Sequence, residues 1–96
     1  MKTLDDIKSV LKKHMAVLEG RFKVRKIGVF GSYAREEEAN TSDVDILVDL
    51  AEPIGWEIID LKEFLEEILG IEVDLVTVKA LKPELSDMIL KEAVYA

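Results

Sequence analysis

Gly31-Ser32 and Asp43-Val44-Asp45, separated by ten residues, are the side chains of this sequence whose types and spacing can do chemistry. Glycine lets the backbone turn sharply and approach a ligand closely. If Ser32 opens a helix, its free backbone N–H groups and positive dipole end favour an anion such as phosphate. Asp43 and Asp45 flank Val44 at the start of an apolar run, Val44-Asp45-Ile46-Leu47-Val48. Side chains alternate across a strand, so the two carboxylates point to one face. They repel each other there unless a cation joins them. Magnesium favours such oxygen ligands and usually takes only one or two carboxylates plus substrate phosphates. A phosphate cradle and a hard-cation site within fifteen residues point to nucleotide chemistry.

Asp74 is a third candidate, in Glu72-Val73-Asp74-Leu75-Val76. A carboxylate between two apolar neighbours does not face a core unpaired. It faces solvent on an open side of a sheet, or it joins the cleft of Asp43 and Asp45. In the second arrangement, one acid holds a metal and another takes a proton from an attacking hydroxyl, as phosphoryl transfer requires. Asp74 carries no such signal without the residues upstream.

The elements that must position these residues follow from apolar spacing. Thr3 with Asp6 resembles a helix N-cap with a supporting carboxylate, and Leu4, Ile7, Leu11, His14 and Leu18 recur at helical spacing. Gly20 suits the end of that helix. A first strand runs over Val24 to Phe30. Ala34 to Glu38 reads as a short helix after the glycine turn, and Asn40-Thr41-Ser42 as a turn. A second strand covers Val44 to Leu50. After Pro53 and Gly55, a long helix carries Ile58, Leu61, Leu65, Ile68 and Leu69 on one stripe, with Gly70 as its C-cap. Ile71 to Val78 is a third strand. Pro83 starts a last helix with an apolar stripe of Leu85, Met88, Ile89 and Ala93. The expected architecture is a single domain over residues 1–96, of α/β (α+β) class, with helices packed on a small sheet. The link between the first two strands is near the minimum for a parallel crossover, so spacing leaves their relative direction open.

Ninety-six residues with a formal net charge of −7 suit one modest core. Lys12-Lys13 and Arg21, Lys23, Arg25 and Lys26 read as a solvated face rather than a nucleic-acid groove. Without cysteine there is no disulfide framework or thiolate metal site. No apolar run approaches a membrane span, and the acidic N-terminus lacks a signal core, which makes the cytosol the expected compartment. His14 reads as a packed histidine. Trp56 reads as a core or interface anchor, with stacking on a base as the lesser alternative. Tyr33 is expected to be partly exposed beside the site, and Tyr95 to pack on the last helix. Trp56 and Met88 are candidates for a self-dimer contact.

The run Gly31-Ser32-Tyr33-Ala34-Arg35 … Thr41-Ser42-Asp43-Val44-Asp45-Ile46-Leu47-Val48, with Asp74 in a later strand, resembles the minimal nucleotidyltransferases (MNT family) of the DNA polymerase β-like superfamily. Ala80-Leu81-Lys82-Pro83 and Ile89-Leu90-Lys91-Glu92-Ala93-Val94-Tyr95 are similar to this family too, so the resemblance covers nearly the whole chain. It implies a mixed sheet and a magnesium-dependent transfer of a nucleoside monophosphate from ATP to an acceptor hydroxyl. It implies that Gly31 and Ser32 bind the β- and γ-phosphates, with Ser42 beside them. Asp43 and Asp45 would hold magnesium. Asp74 would complete the site, as a further ligand or as the base. Arg35 would contact phosphate or the acceptor, unless it pairs with neighbouring acids. The implied partner is a HEPN-domain toxin, with this chain as antitoxin attaching AMP to a tyrosine. Relatives often follow Gly-Ser-x-Ala-Arg with glycine, whereas this chain has Glu36-Glu37-Glu38, an acidic run that weakens attraction for a triphosphate. A non-catalytic antitoxin that neutralises its partner by binding is the alternative, and transfer to a small molecule is disfavoured by the lack of a second substrate domain.

Overall fold

The computed structural model describes residues 3–35 and 43–96. Two helices, α1 (Leu4–Lys13) and α2 (Met15–Phe22), lead into strand β1 (Val24–Phe30). Strand β2 (Val44–Leu50), helix α3 (Glu57–Leu69) and strand β3 (Val73–Thr77) follow. A single 3-10 turn over Val78–Ala80 precedes helix α4 (Pro83–Glu92) and a two-residue strand β4 (Val94–Tyr95). The strands form one mixed sheet in the order β3-β2-β1-β4. β1 runs antiparallel to both neighbours, β2 and β4, while β2 and β3 are parallel. The direction that spacing left open is thus antiparallel, and the expected class and mixed sheet are those observed.

Alternation divides the sheet into two faces. Ile27 and Val29 of β1, Val44, Ile46 and Val48 of β2 and Val73 of β3 are buried against Ile7, Leu11, Leu18 and Phe22 of the first helices and Leu61, Leu65 and Leu69 of α3. Lys26, Gly28 and Phe30, Asp45, Leu47 and Asp49, and Asp74 and Val76 occupy the intervening positions and so share the opposite face. The two candidate site residues that belong to strands, Asp45 and Asp74, therefore lie away from the helical core.

The N-terminal helix begins as its sequence requires. The Thr3 N–H donates to the Asp6 carboxylate at 3.0 Å, and the Asp6 N–H donates to the Thr3 hydroxyl at 3.2 Å, a reciprocal cap. The expected single helix is broken at His14, which leaves helical geometry at φ −105°. Its ring Nδ1 lies 2.8 Å from the Val10 carbonyl oxygen and its edge meets Phe64, so the histidine is packed as read. Periodicity cannot reveal the break, because Ile7, Leu11, Leu18 and Phe22 keep one buried stripe across both segments. Nor does Gly20 end the helix. α2 continues until Phe22 is buried against Phe64, and Lys23 then takes the left-handed conformation at φ 60°. Burying a phenylalanine is worth roughly 1.5–3 kcal/mol, which exceeds the roughly 1–2 kcal/mol cost of a left-handed lysine. Gly70 does cap α3 in the expected left-handed form, at φ 71°.

Two further expectations change. Trp56 is 87% exposed and anchors no part of the core. Tyr95 does not pack as a helical residue but belongs to β4, opposite Gly28. Among the described residues, no helix is long and apolar enough to cross a membrane. Leu65→Ala, at a fully buried position of α3, should cost about 2–5 kcal/mol in chemical denaturation. Trp56→Ala should stay within about 0.5 kcal/mol of the parent.

Candidate active site

The turn that ends β1 and the start of β2 meet because the two strands are antiparallel. Phe30, the last residue of β1, pairs with Asp45, the second residue of β2. Gly31 follows directly, at φ +72°. A β-carbon placed on Gly31 would lie 2.1 Å from Oδ2 of Asp45. Glycine is thus required twice, for a left-handed backbone and for the approach of the turn to a carboxylate. Successive turns continue to Arg35, whose N–H donates to the Gly31 carbonyl at 3.2 Å. The expected helix over Ala34 to Glu38 is not formed through Arg35, and its remaining residues lie outside those described. Ser32 is half-buried in this turn. Tyr33 is 4% exposed and joins the core, contrary to the expected exposed position, so its ring pins the turn onto the domain.

On its other side Asp45 is in register with Asp74 of β3. Parallel pairing thus puts these two carboxyl groups side by side on the face opposite the helical core, the cleft arrangement rather than an isolated strand acid. The consequence is electrostatic. Partial burial, then the charge and hydrogen bond of Asp74, then the charges of Asp43 and Glu92, push the Asp45 pKa up to about 6. The effect is to make Asp45 hold its proton to a higher pH than an ordinary aspartate. Asp43 is exposed, just ahead of β2. Among the described residues, no three acidic or histidine side chains stand close enough to hold a metal ion unaided. Ser42 lies outside the described residues.

Arg35 forms an ion pair with Glu92, the last residue of α4. This partner lies 57 positions away in sequence, and the neighbouring acids Glu36, Glu37 and Glu38 lie outside the described residues. Glu92 is the group that sequence reasoning missed. It belongs to an ordinary amphipathic helix, and only the packing of α4 brings it to the turn and within electrostatic reach of Asp45. A separate cavity of about 240 Å³, lined by Leu50, Ile54, Ile58, Thr77 and their neighbours, lies at the far ends of β2 and β3. It includes none of the three aspartates, and Glu52, Thr77 and Lys79 are its polar lining.

Folding raises the Asp45 pKa from 3.8 to about 6, so the native state holds this proton more tightly than the unfolded chain. The resulting stabilisation is full below about pH 4 and is lost as the pH rises through 6. Asp45→Asn should therefore melt above the parent at pH 7.5 and lose most of that advantage at pH 4, read by thermal denaturation at both pH values. Gly31→Ala should cost roughly 1–2 kcal/mol from the left-handed backbone alone, and should also displace Asp45.

The nucleotidyltransferase domain family model matches residues 11–96. The protein adenylyltransferase MntA of Thermococcus cleftensis is 50% identical over 96 residues, covering 99% of this chain and 97% of that one. A solved minimal nucleotidyltransferase superposes with TM-score 0.83 at 33% identity, covering 97% of this chain and 95% of the other. An MNT antitoxin in complex with a tri-AMPylated HEPN toxin of Shewanella oneidensis has TM-score 0.66 at 23% identity, over 93% of this chain and 70% of that one, a likeness of fold. A glycine turn against paired strand aspartates, a family match over most of the chain and a relative sharing half its residues agree: this chain belongs to the nucleotidyltransferase domain family and is an enzyme of the minimal nucleotidyltransferase type.

Proposed function

We propose that this chain transfers AMP from ATP to a protein hydroxyl, a tyrosine of a HEPN-family toxin, and so acts as the antitoxin of a pair. The observation that carries the reading is the juxtaposition of Gly31, Asp45 and Asp74. A tight turn able to accept phosphate abuts one carboxyl group, which in turn lies in register beside a second. Binding alone does not call for such a costly pair of acids. The name of the Thermococcus relative and the AMPylated toxin bound by the Shewanella antitoxin support the donor, the acceptor class and the partner.

In this reading Gly31 and Ser32 take the β- and γ-phosphates through the turn backbone, with Ser42 alongside. Arg35, on the same turn, contributes positive charge to the phosphates. Asp43 and Asp45 hold magnesium. The donor set fits that ion, since two carboxylates are what it usually accepts from protein before phosphate oxygens complete its shell. It also fits the raised pKa of Asp45, whose crowded negative charge a cation relieves. When bound there, magnesium would supply charge neutralisation on the phosphates. The acceptor oxygen forms a bond to the α-phosphorus, the bond to the bridging oxygen of the β-phosphate breaks, and pyrophosphate leaves. Asp74 completes the site and receives the proton of the acceptor hydroxyl.

The experiment is intact mass of the genomically neighbouring HEPN protein after incubation with this chain, ATP and magnesium. Added AMP units are expected. Omission of the metal, Asp43→Asn or Asp45→Asn should slow their appearance by about a hundredfold or more. An unchanged mass alongside a stable complex would overturn transfer and leave an antitoxin that acts by binding.

A further inference from the structure

The face of the sheet that carries the aspartates also carries an aromatic ring. Phe30, Asp45 and Asp74 form one row across β1, β2 and β3. The next row on the same face is Tyr95, Gly28, Leu47 and Val76, across all four strands. Rows on one face of a sheet lie roughly 7 Å apart, and adjacent strands about 4.8 Å apart. Tyr95 is therefore one row and two strands from Asp45. That separation is about 12 Å, the length of a whole nucleoside monophosphate from phosphate to the far edge of its base.

The local structure holds the ring in this place and leaves it accessible. A β-carbon on Gly28 would lie 3.0 Å from Cδ1 and 3.3 Å from Cε1 of Tyr95, so one edge of the ring rests where any other residue would put a side chain. The Tyr95 backbone is fixed by pairing with Gly28, and the Ala96 N–H donates to the Ile27 carbonyl at 3.0 Å. The side chain is nonetheless 40% exposed. The Lys26 ammonium lies over the ring, 5.5 Å from its centroid. An accessible, immobilised aromatic ring with a cation beside it is the combination that stacks a nucleobase. Trp56, the residue whose composition first suggested stacking, follows the opposite end of β2.

We propose that Tyr95 is the base platform of the nucleotide site, with Gly28 retained as the residue that seats it. The assignment rests on the nucleotide reading of Gly31, Asp45 and Asp74. It also gives β4 a purpose: two residues pair with the edge of β1 to bring one ring onto the reacting face. Stacking accepts any base, so Tyr95 contributes affinity for a nucleoside and leaves the choice among bases to other groups.

Titration calorimetry of the full chain with AMP-PNP and with inorganic tripolyphosphate, each with magnesium, separates base from phosphate contacts. Tyr95→Ala and Tyr95→Leu should weaken AMP-PNP about five- to hundredfold, leave tripolyphosphate unchanged, and Tyr95→Phe should match the parent for both. Tyr95→Leu preserves an apolar strand residue and decides the matter should Tyr95→Ala unfold by circular dichroism. Equal losses for both ligands in a folded variant, or no loss for AMP-PNP, would overturn the platform. A parent chain that binds neither ligand would instead overturn the nucleotide reading on which it stands.

Discussion

The lateral register of β2 and β3 is the constraint on which the site depends. Parallel pairing sets Asp45 directly beside Asp74, on the face opposite α1, α2 and α3. Two carboxyl groups this close cannot both ionise cheaply when one is partly buried, and Asp45 carries the cost as a raised pKa. Natural sequences keep such locally unfavourable groupings where function requires them. A shift of one residue in the register would put one aspartate into the helical core and abolish the pair.

The rest of the fold protects that register. The three helices α1, α2 and α3 cover one face only, and their buried side chains interleave with Val44, Ile46, Val48 and Val73 of the two strands involved. Any slip of β2 or β3 would expose these residues and bury their acidic neighbours. The second support is the turn at Gly31. Buried Tyr33 holds it from below, and the absence of a side chain on Gly31 admits the Asp45 carboxyl group from above. The third is the α4 end, where Glu92 holds Arg35. This exposed ion pair adds little stability by itself. Its effect is positional, since it keeps the one arginine of the turn beside the acids.

Placement on the face opposite the helical core separates the chemistry from the machinery of folding. Substitutions that alter the acids change charge on a partly solvated surface, whereas the core is on the other side of the strands. Fold stability and site electrostatics can therefore vary with some independence, apart from the Asp45 proton that links them. The same exposure suits an acceptor as large as another protein, and a net charge of −7 favours a basic one.

Local pattern alone determined much of this protein. Apolar alternation located β1 and β2 to the residue, the Thr3–Asp6 pair marked the first helix, and Gly70 marked the end of α3. The glycine–serine turn and the Asp-x-Asp spacing identified the chemistry, because both are contiguous features whose geometry follows from backbone rules. What the sequence could not decide were the outcomes of long-range competition. His14 interrupts a stripe whose periodicity never falters, and Gly20 yields the helix end to Lys23 because Phe22 gains more by burial than glycine saves. Asp74 became a neighbour of Asp45 only through the parallel pairing of β2 with β3, which no local spacing specifies. Glu92 reached Arg35, and Tyr95 reached Gly28, across more than fifty residues, by packing and by edge pairing whose partners are chosen only when the whole chain has closed around its core.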